Sequence, residues 1–146
     1  MTQFNFYLEF EAENVTTISR TPQHKYIANA DCTKCGHAYA SVQFSPDDTS
    51  EIPNSRGTAN LCISCPFCQA RSSLNFLKEG KATASGDLLA VIEVRGPFRP
   101  LAFGLTGWRA ESASGATFDC YQAELAEWDD EIQGDVVVYD LKGSVK

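Results

Sequence analysis

Residues 3–12 read QFNFYLEFEA. Phe4, Phe6, Leu8, Phe10 and Ala12 share one phase, and Gln3, Asn5, Tyr7, Glu9 and Glu11 share the other. A period of two sends successive side chains to opposite faces, so this is a strand with one buried and one wet face, as in an antiparallel sheet. The pattern recurs further along. In HAYASVQF, Ala38, Ala40, Val42 and Phe44 are in phase. SSLNFL and DVVVYDL are short strand candidates. DLLAVIEVRG carries apolar residues on both phases at Leu88, Leu89, Ala90, Val91 and Ile92, which predicts a strand covered on both sides.

Turn residues separate these runs. SPDDTSEIPNSRG, with Pro46, Pro53 and Gly57, predicts a long loop, and RGPFRPLAFG, with Pro97 and Pro100, a turn-rich edge. Only YQAELAEWDDEI has helix formers at a helical spacing, with Tyr121, Leu125 and Trp128 on one side. Many short strands split by Gly and Pro turns predict an all-β fold, an antiparallel β-sandwich or barrel. At 146 residues the chain has the size of one domain, taken here as 1–146. A domain of this size needs no disulfides to build a core.

Charge and composition narrow the function classes. The net charge is −7, and residues 111–146 alone account for it, with nine acids against two lysines. That segment predicts a solvated surface, and an acidic chain lacks the basic footprint that phosphate backbones require. Nucleic acid is therefore not expected as a partner. No apolar run approaches the roughly 18 residues of a membrane-spanning helix, and MTQFNFYLEFEAEN has neither the basic start nor the apolar stretch of a signal peptide. The expectation is a monomer in a reducing compartment, cytoplasmic and also nuclear in reach, without a membrane partner.

Six cysteines in such a compartment point to metal binding or redox chemistry. Cys32 and Cys35 form C-x2-C, with Gly36 next; Cys65 and Cys68 form another, enclosing Pro66. Such a turn converges two thiolates on one point, and Gly36 suits the left-handed residue that closes it. Two turns face to face supply the four sulfurs of a closed structural zinc site. Either Cys62/Cys65 or Cys65/Cys68 can serve as the second pair. We take Cys65/Cys68, since Pro66 rigidifies that turn and zinc saturates at four ligands. Cys62 then lies in a short strand entering the site and, like Cys120, reads as a small buried hydrophobe. His24 and His37 read as surface or loop residues. The expected cofactor is one structural Zn2+ per chain, held by Cys32, Cys35, Cys65 and Cys68. Apparent zinc binding of about 10–16 kcal/mol in small peptides exceeds the net stability of a typical domain.

Competing readings of the cysteines are weaker. A thioredoxin-like dithiol needs one pair on a strand-to-helix turn, and neither pair opens a convincing helix. Cys62, Cys65 and Cys68 lack the fourth cysteine and the proline of a ferredoxin cluster run. ESASGATFDC has serines but no histidine placed by motif, so no hydrolase is expected.

The order of these segments resembles the eukaryotic CXXC-motif-containing zinc-binding proteins over nearly the whole chain. The segments are LEFEAENVT, CTKCG, RGTANLCISCPFC, EVRG, ESASGATF, a tryptophan followed by acids, and DVVVYDL. The resemblance places the second metal pair at Cys65 and Cys68. It departs after EVRG, where Glu-Pro is expected and Arg99-Pro100 stands. It implies a jelly-roll-like β-sandwich with the metal joining loops at one end, and no established enzymatic activity. Two functions follow. One is a non-enzymatic, zinc-stabilised module that binds another protein through GPFRPLAFG, Trp108 and Trp128, although core packing is the commoner role for large aromatics. The alternative is thiol-based metal handling or redox sensing, with Cys62 as a resolving thiol.

Overall fold

The computed structural model describes residues 1–53, 56–83, 87–122 and 124–146. Fourteen strands follow one another, and no helix occurs among the described residues. They are β1 (Thr2–Glu13), β2 (Val15–Arg20), β3 (Tyr26–Cys32), β4 (Ala38–Phe44), β5 (Ser50–Glu51), β6 (Thr58–Ala59) and β7 (Leu61–Ser64). Then come β8 (Arg71–Glu79), β9 (Asp87–Arg95), β10 (Phe98–Leu105), β11 (Trp108–Ser112), β12 (Thr117–Cys120), β13 (Leu125–Asp129) and β14 (Gly134–Val145). Six of them form one antiparallel sheet in the order β13-β14-β1-β9-β8-β7. Two three-stranded sheets, β10-β3-β4 and β12-β11-β2, and the β5-β6 ribbon complete the fold.

The expected antiparallel, jelly-roll-like sandwich is the architecture found. In β1 the inward phase is the one read from the sequence: Phe6, Leu8 and Phe10 are buried, and Phe4 and Ala12 are half-buried. Phe6 meets the opposing layer directly, stacking on Phe103 of β10 at 4.5 Å between ring centres and lying 5.9 Å from Tyr26 of β3. Tyr26 and Phe44 stack at 6.0 Å, and both touch Phe76 of β8. These rings are the contact between the layers, where burying each aromatic side chain contributes about 1.5–3 kcal/mol. β9 is an interior strand of the large sheet, with Leu89, Ala90, Ile92 and Val94 buried and Leu88 and Val91 half-buried. A bulge in β9 itself, with Leu89 the extra residue opposite Phe6 and Tyr7, brings Leu89 and Ala90 inward together.

Four local expectations are corrected. In β4 the inward residues are Tyr39, Val42 and Phe44, while Ala38 and Ala40 face solvent. A bulge opposite Ala28–Ala30, with Ser41 at φ 56°, switches the phase. RGPFRPLAFG is mostly strand, β10 following a bend at Gly96–Pro97, rather than a turn-rich segment, though it does lie at a sheet edge. Pro100 sits at its bulge, where a missing N–H is tolerated. SPDDTSEIPNSRG is not wholly loop: it contains β5, which pairs with β6 just beyond Gly57, and its Asn54 and Ser55 lie outside the described residues. The helix expected in YQAELAEWDDEI is instead β13, paired with β14 from Leu125↔Val138 to Asp129↔Gly134. Ala123 of that segment lies outside the described residues.

Candidate metal centre

Two hairpin connections meet at one end of the sandwich. Residues 33–37 join β3 to β4 in the small sheet, and residues 65–70 join β7 to β8 in the large one. Their main chains are built alike. The Cys32 amide donates to the His37 carbonyl at 2.8 Å, and the Cys65 amide to the Ala70 carbonyl at 2.9 Å. The Gly36 amide returns to the Cys32 carbonyl at 2.7 Å, and the Gln69 amide to the Cys65 carbonyl at 2.9 Å. The closing residue is left-handed in both, at φ 81° for Gly36 and φ 62° for Gln69. A third connection braces them: the Thr33 amide donates to the Pro97 carbonyl, and the Phe98 amide to Ser72 Oγ. Gly96, at φ 104°, packs so closely that a Cβ there would clash with the Arg71 carbonyl oxygen.

The sulfurs of Cys32, Cys35, Cys65 and Cys68 lie within 4.8 Å of one another. Cys32 and Cys68 Sγ are 3.7 Å apart, Cys35 and Cys65 Sγ 3.4 Å, and each contact joins one turn to the other. Four sulfurs at about 2.3 Å from a central ion stand about 3.8 Å apart on the edges of a tetrahedron. The donor set and its spacing therefore suit one tetrahedral ion of zinc's size and softness. None of the six cysteines forms a disulfide.

The turns also prepare the sulfurs electrostatically. The amide of Cys68, then that of Phe67, then Cys35 and the Tyr39 hydroxyl hold Cys65 down to about 6 against the opposing effect of burial. At Cys35 the His37 amide favours the thiolate, but desolvation and the sulfurs of Cys65, Cys32 and Cys68 outweigh it and push the thiol up to about 12. Without an ion, the surroundings thus push these two neighbouring thiols in opposite directions. A cation at the centre removes that conflict and lets all four ionise.

Other sequence expectations resolve as follows. Cys62 is in the strand entering the site, as expected, but it is half-buried and outside the core and the sulfur cluster. Cys120 is a core residue whose sulfur faces the carbonyls of Gln122 and Glu124. His37 stays outside the sulfur cluster, its ring 4.7 Å from Phe67 and 4.8 Å from Tyr39. His24 is half-buried, its Nδ1 3.2 Å from Thr106 Oγ1 and its ring 4.9 Å from Tyr121. Trp108 is 1 % exposed and belongs to the core, which removes it from any binding surface, whereas Trp128 is 54 % exposed. Arg99 forms a two-point ion pair with Asp31 directly across the strands.

Three participants escaped the sequence reading: Tyr39, Phe67 and Gln69. Aligning CTKCG with CPFCQ sets Gln69 on Gly36, which would have identified the second left-handed position. No one-dimensional signal places Tyr39 beside Cys65, because the bulge in β4 reverses its face.

Comparison with known proteins agrees with this geometry. The family model described as "CXXC motif containing zinc binding protein, eukaryotic" matches residues 5–146. The chain belongs to that family. Among solved structures, a hypothetical protein from Plasmodium falciparum superposes with a TM-score of 0.86 at 22% identity, covering 100% of both chains. The crystal structure of C1orf123 superposes with a TM-score of 0.85 at 18% identity, covering 99% of both. At these identities the two structures speak to the fold alone. A comparison with curated protein sequences finds no significant match.

Proposed function

We propose that the protein is a non-enzymatic zinc protein. Cys32, Cys35, Cys65 and Cys68 close around one Zn2+ per chain and hold the two layers in register at one end of the sandwich. The observation that carries this reading is the convergence of four sulfurs from two different sheets. Four thiolates complete a tetrahedron and leave no position for water or substrate, which is the property of a structural site. The same end exposes Phe67, 76 % accessible, and Trp128 is also exposed. Aromatic residues of this kind are enriched at protein interfaces, and they support a role as a protein-binding module. We place the protein in the cytoplasm or nucleus as a monomer, with neither nucleic acid nor membrane as its partner.

Metal analysis of the purified protein tests the assignment. The expected result is one zinc per chain, retained through dialysis against a weak chelator. Iron, or no metal in protein prepared with zinc, would overturn it.

One observation favours a second reading. Cys35 is exposed while Cys32 and Cys65 are buried, so one corner of the sulfur cluster is open to solvent. A metal-handling or redox-sensing protein needs such an entry point. In that case a weak chelator strips the zinc readily, and mild oxidation releases it as disulfides form.

A further inference from the structure

Cys62, Ser73 and Arg95 stand opposite one another on β7, β8 and β9, and Ser64 stands opposite Arg71 in the next row. Cross-strand partners in an antiparallel sheet share a face, as do residues two apart along a strand. These five side chains therefore occupy one face of the sheet corner. Their neighbours Leu61, Ile63 and Leu74 occupy the other and pack on the core. The β5-β6 ribbon folds over this corner, and Ile52 and Pro53 wall a groove of about 480 Å3 above it. That volume is within the usual range for small-molecule sites.

The groove's charge differs from that of the protein. Among the described residues Arg71 has no acidic partner. Arg95 meets Glu93 through its Nε alone, which leaves both terminal nitrogens available. Two arginines and two serines thus line one cavity on a chain of net charge −7. A guanidinium fork matches the paired oxygens of a carboxylate or phosphate. Ile52 and Pro53 add apolar side chains to the lining.

We infer that this groove is a binding site for an oxyanion carried on an apolar body. Arg71 and Arg95 take the oxyanion, Ser64 and Ser73 complete its hydrogen bonding, and Ile52 and Pro53 cover the apolar part. The metal turn positions the site, since Ser64 and Arg71 flank Cys65–Ala70. Cys62 lies on the floor of the groove and reports on its occupancy. This inference is independent of whether the zinc is structural or exchangeable.

The test uses the full zinc-loaded chain and three probes of one body: phenyl phosphate, benzoate and benzyl alcohol. Alkylation of Cys62 by iodoacetamide, followed by peptide mass mapping, reads occupancy. At least one of the two anions should slow alkylation in a saturable way while benzyl alcohol does not, and the stronger anion identifies phosphate or carboxylate as the natural group. Replacing Arg71 by alanine should weaken that protection by about tenfold, the cost of losing one charge-assisted pair. Arg95→Ala should do the same with the zinc content unchanged. The inference fails if neither anion protects Cys62, if benzyl alcohol protects equally, or if the arginine variants are protected like the parent chain. The first two outcomes are read on the parent chain and hold even if a variant does not fold.

Discussion

Gly36 and Gln69 occupy the same position in two copies of one turn, each left-handed and each bonding its amide to the carbonyl four residues earlier. A left-handed conformation costs an L-residue roughly 1–2 kcal/mol, and glycine almost nothing. No atom lies within 4 Å of where a Gly36 Cβ would stand, so Gly36→Ala isolates the conformational cost from any clash. The zinc-loaded variant should lose about 1 kcal/mol. Gln69→Gly should do the opposite, with a gain of about 0.5 kcal/mol after the added freedom of the unfolded chain is subtracted. Urea midpoints of the two variants provide the check, and shifts of the same sign would remove the equivalence.

The cysteines separate by position. Cys68→Ser takes one of four sulfurs from a site whose apparent binding energy is of order 10–16 kcal/mol in small zinc domains. It should abolish stoichiometric zinc after dialysis and lower the melting temperature. Cys62→Ser lies outside the cluster and should keep one zinc per chain with little change in melting. Zinc content by mass spectrometry distinguishes them. The reverse result would make Cys62 the ligand.

How far the sequence could be read follows from what each pattern depends on. In β1 the alternation is local, so its face and its burial were legible together. The paired C-x2-C turns were legible because each is a closed local structure; only their meeting required the fold. β13 was not legible, because Leu125 and Asp129, four apart, fall on one face in a helix and in a strand alike. Its state is decided by hydrogen bonding to β14, which helix propensity does not register. The acids of the C-terminal segment are largely exposed as expected, and the one buried among them, Asp129, finds its partners 15 and 17 residues away. The Cys62 groove was equally hidden, since its side chains come from strands brought together only by the sheet.

The two tryptophans give a test of the two layers' packing. Trp108 is buried, and its indole N–H donates to the Gln122 carbonyl at 2.7 Å. Trp128 lies on the surface, bonded to Asp130. Trp108→Ala should cost about 3–5 kcal/mol, and Trp128→Ala less than about 0.5 kcal/mol. Chemical denaturation measures both. A large loss at Trp128 would mean that its face is buried in solution, as in a self-associated form, and sedimentation would then show a dimer.

Asp129 links two hairpins that the large sheet alone does not join. Its Oδ2 accepts from Ser112 Oγ and Ser114 Oγ, both at 2.6 Å, and its Oδ1 from the Glu131 amide at 3.0 Å. The Ser112 and Ser114 hydroxyls, aided by the amides of Glu131 and Ile132, outweigh burial and hold this carboxyl below the usual carboxylate range. The folded state therefore binds its proton less readily than the unfolded chain does. The stabilisation is complete above the unfolded value of about 3.9 and is lost as pH falls through the lower folded value. Asp129→Asn keeps the shape but replaces one acceptor oxygen with a donor amide, so it should melt at lower temperature than the parent at neutral pH. The difference should narrow as pH falls below the unfolded value and the parent loses its own carboxylate. Measuring the two chains side by side cancels the loss of zinc in acid, which both share. Melting curves that stay parallel down to the lowest pH would show that the Ser112–Ser114–Asp129 contact makes no pH-dependent contribution to stability.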